Sequence, residues 1–477
     1  MSVKETDLQL DFPSLTTAYA SGALTPSVVV ERIIGQIADR GKDGVWISVV
    51  ERDALLARAR ELETLPTGAR AYLPLWGIPF SVKDCIDVAA LPTTSACPAF
   101  SYIPTANSPS VARLLRAGAI LIGKTNMDQF ATGLVGTRSP YGVARNPFNE
   151  AYIPGGSSSG AAVSVSAGIV SFALGTDTGG SGRVPAAFNN IVGLKPTRGL
   201  ISGGGNVPAC RSIETISIFA LTVPDARRVF DVVHGYDEQD PFSRRPPPAG
   251  DAIPPRITFG IPERQSLEFF GDADAARLFD AAVQRLASFG DVNDEIDYTP
   301  FAELNELLFK GAWLAERYGA LRQIVEGQPA ALLPVTRAIL EGGRSVSGAE
   351  VFSAQQRCNV LKRRIDKLWH EIDVLVVPTT GTIYRIDEIE SDPIELNFRL
   401  GRYTNFVNLA DLAAIAVPAG FRSNGLPLGI TLIGPAFSDH RLAAVAERYH
   451  EADERRLGAR AVRRAHASTG EDVGNFA

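Results

Sequence analysis

The sequence predicts an α/β layered fold, on three observations. Apolar runs of strand length recur between segments of helical spacing. Those runs are nearly continuous in apolar residues and do not alternate, as expected of strands buried on both faces. Glycine or proline stands at many of the points where one element gives way to the next.

Thr25-Pro26 supplies a capping hydroxyl and a first-turn proline ahead of Val29, Ile33 and Ile37 at helical spacing. From about Leu75, strand and helix alternate. Ile78 to Val82 reads as a strand, Ser108-Pro109 opens a helix that Gly118 ends, and Ala119 to Ile122 returns as a strand. Gly160 to Gly168 is a helix of small residues, and Ile169 to Leu174 is the next strand. Asp237 to Arg256 holds six prolines and reads as a surface connection. Ile257 to Ile261 then resumes as a strand and Ala275 to Phe289 as an amphipathic helix. Ser347-Gly348-Ala349-Glu350 has the form of a capping box, starting a helix that runs to about His370. Asp373 to Val377, Leu409 to Pro418 and Gly429 to Ile433 are late strands able to rejoin the first sheet. The proline-rich stretch is then a loop within one domain spanning residues 1–477.

The chain has 477 residues and a net charge of −6, with no basic domain, which argues against a nucleic-acid partner. Arg455 to Arg464 follows Glu451 and Glu454 and reads as a solvated helix. No apolar run reaches the ~18 residues of a membrane span, and MSVKETDLQLDF lacks the pattern of a signal peptide. Four cysteines are scattered without metal-type spacing, which suits a reducing cytoplasm.

The chemistry centres on Ala151 to Pro185, AYIPGGSSSGAAVSVSAGIVSFALGTDTGGSGRVP. Gly155-Gly156 precedes Ser157 and Gly179-Gly180 precedes Ser181, so both serines sit in turns that ordinary residues adopt with difficulty. The backbone N–H groups of Thr178, Gly179, Gly180 and Ser181, just past a strand, can converge on a developing oxyanion. A phosphate cradle would need a following Gly-Lys-Ser/Thr, which is absent. A flexible linker would not be flanked by a packed helix and an apolar strand. A serine nucleophile needs a base. The five histidines lie outside the glycine-rich turns, so Lys83 in IPFSVKDCID is the candidate. Taken alone Lys83 reads as a surface lysine at a strand end. Held in an apolar site, a lysine gives up charge and accepts a proton.

These motifs resemble the amidase signature family, whose hallmark is a GGSS turn, a small-residue helix, then GTDTGGS followed by R-x-P. The resemblance implies an α/β/α sandwich around a large mixed β-sheet. The signature core covers about 70–215, a substrate-side helical region about 256–372, and the late strands about 373–435. It implies a relay of Lys83, Ser157 held by a cis peptide, and Ser181 as nucleophile, with the two serines 24 residues apart. Asp177 and Arg183 then fix the turn by hydrogen bonds and take no part in the chemistry. No metal or organic cofactor is implied.

Within that family KTNMDQFATGLVGTRSPYG, RVPAAFNNIVGLKPTRGL, VPACRS, AERY and YTNFVNLADLAAIAVPAGF are similar to allophanate hydrolases. That similarity implies release of ammonia from urea-1-carboxylate, a small anionic amide. Arg317 of AERY then reads the carboxylate, and Gly133 and Phe309 are further substrate-binding positions. The apolar neighbours of Arg317 on its helix offer no local carboxylate to pair with it. Four departures stand out. Phe309 replaces a tyrosine eight residues before the arginine, Cys85 replaces an asparagine after V-K-D, T-G-G-S replaces T-A-G-S, and SGGGN stands at 202–206. The resemblance also implies a homodimer. The chain ends at Ala477 without the domain that handles decarboxylation in many allophanate hydrolases, so a separate decarboxylating partner is expected. The other readings are an amidase for another small amide and the amidase subunit of an amidotransferase complex.

Overall fold

The computed structural model describes residues 9–247, 256–309, 311–451 and 457–459. Arg455 to Arg464 therefore lies outside the described residues apart from 457–459, as do 248–255 of the proline-rich connection.

Eleven strands among the described residues form one mixed sheet. They are β1 (Trp46–Val49), β2 (Pro79–Lys83), β3 (Ile120–Thr125), β4 (Phe172–Asp177), β5 (Val192–Lys195), β6 (Thr215–Ala220), β7 (Ile257–Pro262), β8 (Gly290–Ile296), β9 (Val374–Pro378), β10 (Leu412–Phe421) and β11 (Pro427–Pro435). Their spatial order is β1-β3-β2-β4-β6-β5-β10-β11-β9-β7-β8. Parallel pairs β3–β2–β4 stand toward one end and β9–β7–β8 at the other, and antiparallel pairs link them through β6, β5, β10 and β11.

The apolar runs are buried because both faces of the sheet are covered. Along β9, Val374 and Val376 join one apolar cluster while Leu375 and Val377 join another. The period of two sends successive side chains to opposite faces. On one face lie Phe279, Ala282 and Leu286 of the helix Ala273–Ala287 and Leu442 of the helix Asp439–Glu451. On the other lie Leu304 and Leu308 of the helix Thr299–Phe309 and Leu361 and Ile365 of the helix Gly348–Leu368. This is a helix–sheet–helix sandwich.

The helix starts follow their caps. Thr25 accepts from Val28 N at 3.4 Å and Ser108 from Val111 N at 3.4 Å, each followed by proline at the first helical position. Ser347 Oγ accepts from Glu350 N while Glu350 Oε2 accepts from Ser347 N, a reciprocal capping box.

The structure moves two strand starts by three residues. Ile169 and Val170, expected to begin a strand, instead close off the helix Ser159–Ser166. Ile169 N and Val170 N both donate to Ser164 O, at 2.9 and 3.2 Å, and β4 starts at Phe172. Apolar character drew those residues to the strand, and the helix end needed their N–H groups. Leu409 likewise ends the short helix Phe406–Leu409, and β10 starts three residues later at Leu412.

Candidate active site

β2 and β4 run parallel and in register, Phe80 against Phe172 and Val82 against Leu174. Their carboxyl ends therefore open on one edge of the sheet, the edge at which α/β sheets bind ligands. β2 ends at Lys83 and β4 at Asp177.

Lys83 is wholly buried, not a surface lysine. Its Nζ donates to Ser157 Oγ at 2.8 Å and to Thr176 Oγ1 at 2.7 Å. Ser157 Oγ donates to Ser181 Oγ at 2.8 Å. Residues 74 and 24 positions apart thus form one unbroken hydrogen-bonded chain. The Gly156–Ser157 peptide is cis. Burial pushes Lys83 below the usual lysine range, against the pull of Glu214, Asp128 and Asp177. Two residues on, burial pushes the Cys85 thiol up to about 12, which makes Cys85 a packing residue with its proton in place.

The turn that carries Ser181 is held by Asp177. Its carboxylate accepts from Gly180 N at 2.9 Å and Gly182 N at 3.0 Å, and from Arg183 Nε at 2.9 Å and Nη2 at 2.8 Å. Burial opposes its charge, but Arg183, with Lys195 and the Gly182 N–H, holds the carboxyl below the usual range. Thr404 Oγ1 secures the other side by donating to Gly179 O at 2.7 Å. Because Asp177 takes the Gly180 N–H, the four N–H groups expected to face an oxyanion narrow to those of Thr178, Gly179 and Ser181. No protein group among the described residues accepts from Gly179 N or Ser181 N.

Ser181 opens into a pocket of about 380 Å³ counting its mouth, lined among others by Gly133, Arg138, Thr178, Gly179, Leu308, Arg317, Asn397 and Asn405. Arg317, from the helix Ala312–Gly327, is 6% exposed and its Nε donates to Cys210 Sγ at 3.2 Å. No carboxylate among the described residues pairs with it, and the neighbouring Glu316 is engaged with Ser212 N and Oγ. Gly133 lies across the pocket, where a Cβ would stand 2.8 Å from Asp128 Oδ2. Asp128 accepts from Val135, Gly136 and Arg138 N–H groups and so shapes that wall. Phe309 closes the helix Thr299–Phe309, but its side chain lies outside the described residues.

The sequence did not single out Thr176, Asp128, Arg138, Asn397 or Asn405. All but Asn397 lie in runs quoted above, yet none carries a local signal that separates a wall residue from a packing one. Asn397 comes from 263 residues along the chain to accept from Leu134 N at 2.7 Å.

A family model described as Amidase matches residues 29–443. The urea amidolyase of Saccharomyces cerevisiae is 43% identical over 448 residues, which is 93% of this chain and 24% of that protein. The chain thus spans about a quarter of the length of that curated relative. The Kluyveromyces lactis allophanate hydrolase structure superimposes with a TM-score of 0.90 at 40% identity, covering 96% of this chain and 76% of that one. The A subunit of glutamyl-tRNA(Gln) amidotransferase from Acidobacterium capsulatum is 32% identical over 477 residues, covering 92% of this chain and 98% of its own.

Proposed function

The chain belongs to the amidase family, and from that footing we propose that it hydrolyses allophanate to release ammonia. One observation carries the reading: the Lys83–Ser157–Ser181 hydrogen-bonded chain ends in the same small pocket that holds a buried arginine without a carboxylate partner. An unpaired buried cation is costly unless an anion completes it, and a carboxylate fits a guanidinium best. The identity to urea amidolyase, and the fit to the allophanate hydrolase structure, support the same substrate.

The reaction runs as follows. Neutral Lys83 takes the Ser157 hydroxyl proton as Ser157 takes that of Ser181. Ser181 Oγ bonds to the terminal carbonyl carbon, and the N–H groups of Gly179 and Ser181, with Thr178, hold the oxyanion. The intermediate collapses, the C–N bond breaks, and the amine leaves as ammonia with the proton returned through Ser157. Water then attacks the acyl-serine by the same relay and frees the carboxylated product. Arg317 anchors the carboxylate throughout.

The full-length match to the amidotransferase protein gives a second reading some support. It is weaker, at 32% identity against 43%. The rest of the proposal is a single domain acting as a homodimer, with a separate decarboxylating partner. The proposed setting is the cytoplasm, which four buried cysteines free of disulfides suit. No helix among the described residues is long and apolar enough to cross a membrane.

The test is ammonia release by the purified chain from allophanate, malonamate, biuret and a neutral amide, with Ser181→Ala as blank. Preference for allophanate without any partner supports the reading. Turnover of other amides alone overturns the substrate, and activity that appears only with a partner favours the amidotransferase.

A further inference from the structure

Asn405 stands immediately before the short helix Phe406–Leu409 and lines the pocket beside Gly179, Ser181 and Arg317. Its side chain is 1% exposed, and neither Oδ1 nor Nδ2 has a hydrogen-bond partner. Burying an amide with both ends unsatisfied is unfavourable. Its neighbours do not share the predicament. Asn408 Nδ2 donates to Asp177 O at 2.6 Å and Ile213 O at 2.9 Å, and Thr404 bonds Gly179 O. Those two side chains build the turn, whereas Asn405, which lines the pocket, keeps an unpaired donor and an unpaired acceptor.

The carboxamide is also confined. A Cβ on Gly179 would stand 2.8 Å from Asn405 Oδ1, and one on Gly401 would collide with Nδ2. Glycine at both positions leaves room for the amide, on a residue that lines the same pocket as Ser181.

We propose that Asn405 is a specificity-determining residue that reads the central N–H of the substrate, a role that rests on the allophanate reading above. Allophanate is a urea with a carboxylate on one nitrogen, so its central N–H and one carboxylate oxygen sit side by side, a donor next to an acceptor. A carboxamide meets that edge with two parallel hydrogen bonds: Oδ1 accepts from the N–H, and Nδ2 donates to the carboxylate oxygen. Arg317 holds the carboxylate from its other side. The arrangement separates a ureido acid from a malonamate, which has a methylene where allophanate has the N–H. With malonamate Oδ1 stays unsatisfied. Sites built to hydrogen-bond a polar group reject analogues that lack it far more strongly than apolar pockets reject a change of size.

The experiment compares kcat/KM for allophanate and malonamate in the wild type, Asn405→Ala and Asn405→Asp, with melting temperature as a fold check. The alanine variant is expected to lose about 10- to 100-fold on allophanate and much less on malonamate, so their ratio falls. The aspartate variant keeps the shape and the acceptor but faces the carboxylate with like charge, so KM is expected to rise for both substrates. This second variant serves if alanine fails to fold. Equal losses on both substrates in Asn405→Ala, or unchanged KM in Asn405→Asp, overturn the role. A wild type that hydrolyses malonamate but not allophanate overturns the substrate reading itself, and this inference with it.

Discussion

Arg183 grips Asp177 through two hydrogen bonds, and both side chains are fully shut off from solvent. The pair brackets Ser181, so the geometry of the nucleophile depends on a buried ion pair six residues apart. Removing one member strands the other charge. Asp177→Asn is expected to cost about 3–5 kcal/mol in a denaturant titration, and amidase activity with it. A lowered carboxyl also sets the sign with pH. The stabilisation is present above the unfolded value of 3.8 and is lost as acid protonates the folded group below it. An unshifted midpoint in the variant counts against the role.

Ser181→Ala is expected to lower kcat by ~10³-fold or more while the melting temperature holds. The substitution removes only the end of the hydrogen-bonded chain, so circular dichroism and ammonia release together separate chemistry from folding. Full residual activity excludes Ser181 as nucleophile.

Lys83 acts as a base only when neutral, and burial lowers its pKa. The rate is therefore expected to rise with pH through that lowered value and then level off. Lys83→Met fills similar volume without a titrating group. In that variant the remaining rate is expected to be small and to lack this acidic limb in a kcat/KM profile. A profile that keeps the limb assigns it to another group.

Arg317→Gln is expected to raise KM for allophanate by about 10- to 100-fold, the worth of a charge-assisted contact. A neutral amide of similar size keeps its KM, because no carboxylate is lost. Steady-state kinetics on the two substrates decide between a reader of charge and a wall of the pocket.

Far from the site, Asp225 lies in the helix Val223–Val233 and accepts from Phe12 N at 3.4 Å. Burial, then the charge of Asp11, pushes its carboxyl up to about 7, with Thr222, Phe12 and Arg228 pulling the other way. The folded state thus holds a proton that the unfolded chain releases near 3.8. Stability from this group is present at low pH and falls as pH rises toward about 7. Asp225→Asn removes the dependence, so its melting temperature relative to wild type is expected to be higher at pH ~8 than at pH ~5. A constant difference refutes this account.

Local rules were legible where local energy decides. Ser347 and Glu350 name their own helix start, and the apolar runs of β2, β3 and β9 name strands with two covered faces. Glycine pairs mark the two turns whose serines lie in hydrogen-bonded sequence with Lys83. Residues whose part depends on distant chain were not legible. Asn405 differs from Asn408 only in what the fold brings near it. Gly290–Ile296, GDVNDEI, offers no apolar run, and it is a strand because β7 supplies the pairing at the sheet's end. The missed start of β4 arose between neighbours, where a helix end claimed residues of strand character.

The register of β2 against β4 governs more than the position of one lysine. Successive residues of a strand face opposite ways, so losing or gaining a single residue in β2 turns Lys83 away from Ser157. Changing two restores the facing but moves the amine ~6.6 Å along the strand. The relay thus fixes the length of this seam, while β8 at the sheet's last position carries no relay residue and is free to lengthen, shorten or accept a graft. Insertional tolerance across the molecule should thus run as a gradient, steepest at the second strand and nearly flat at the eighth.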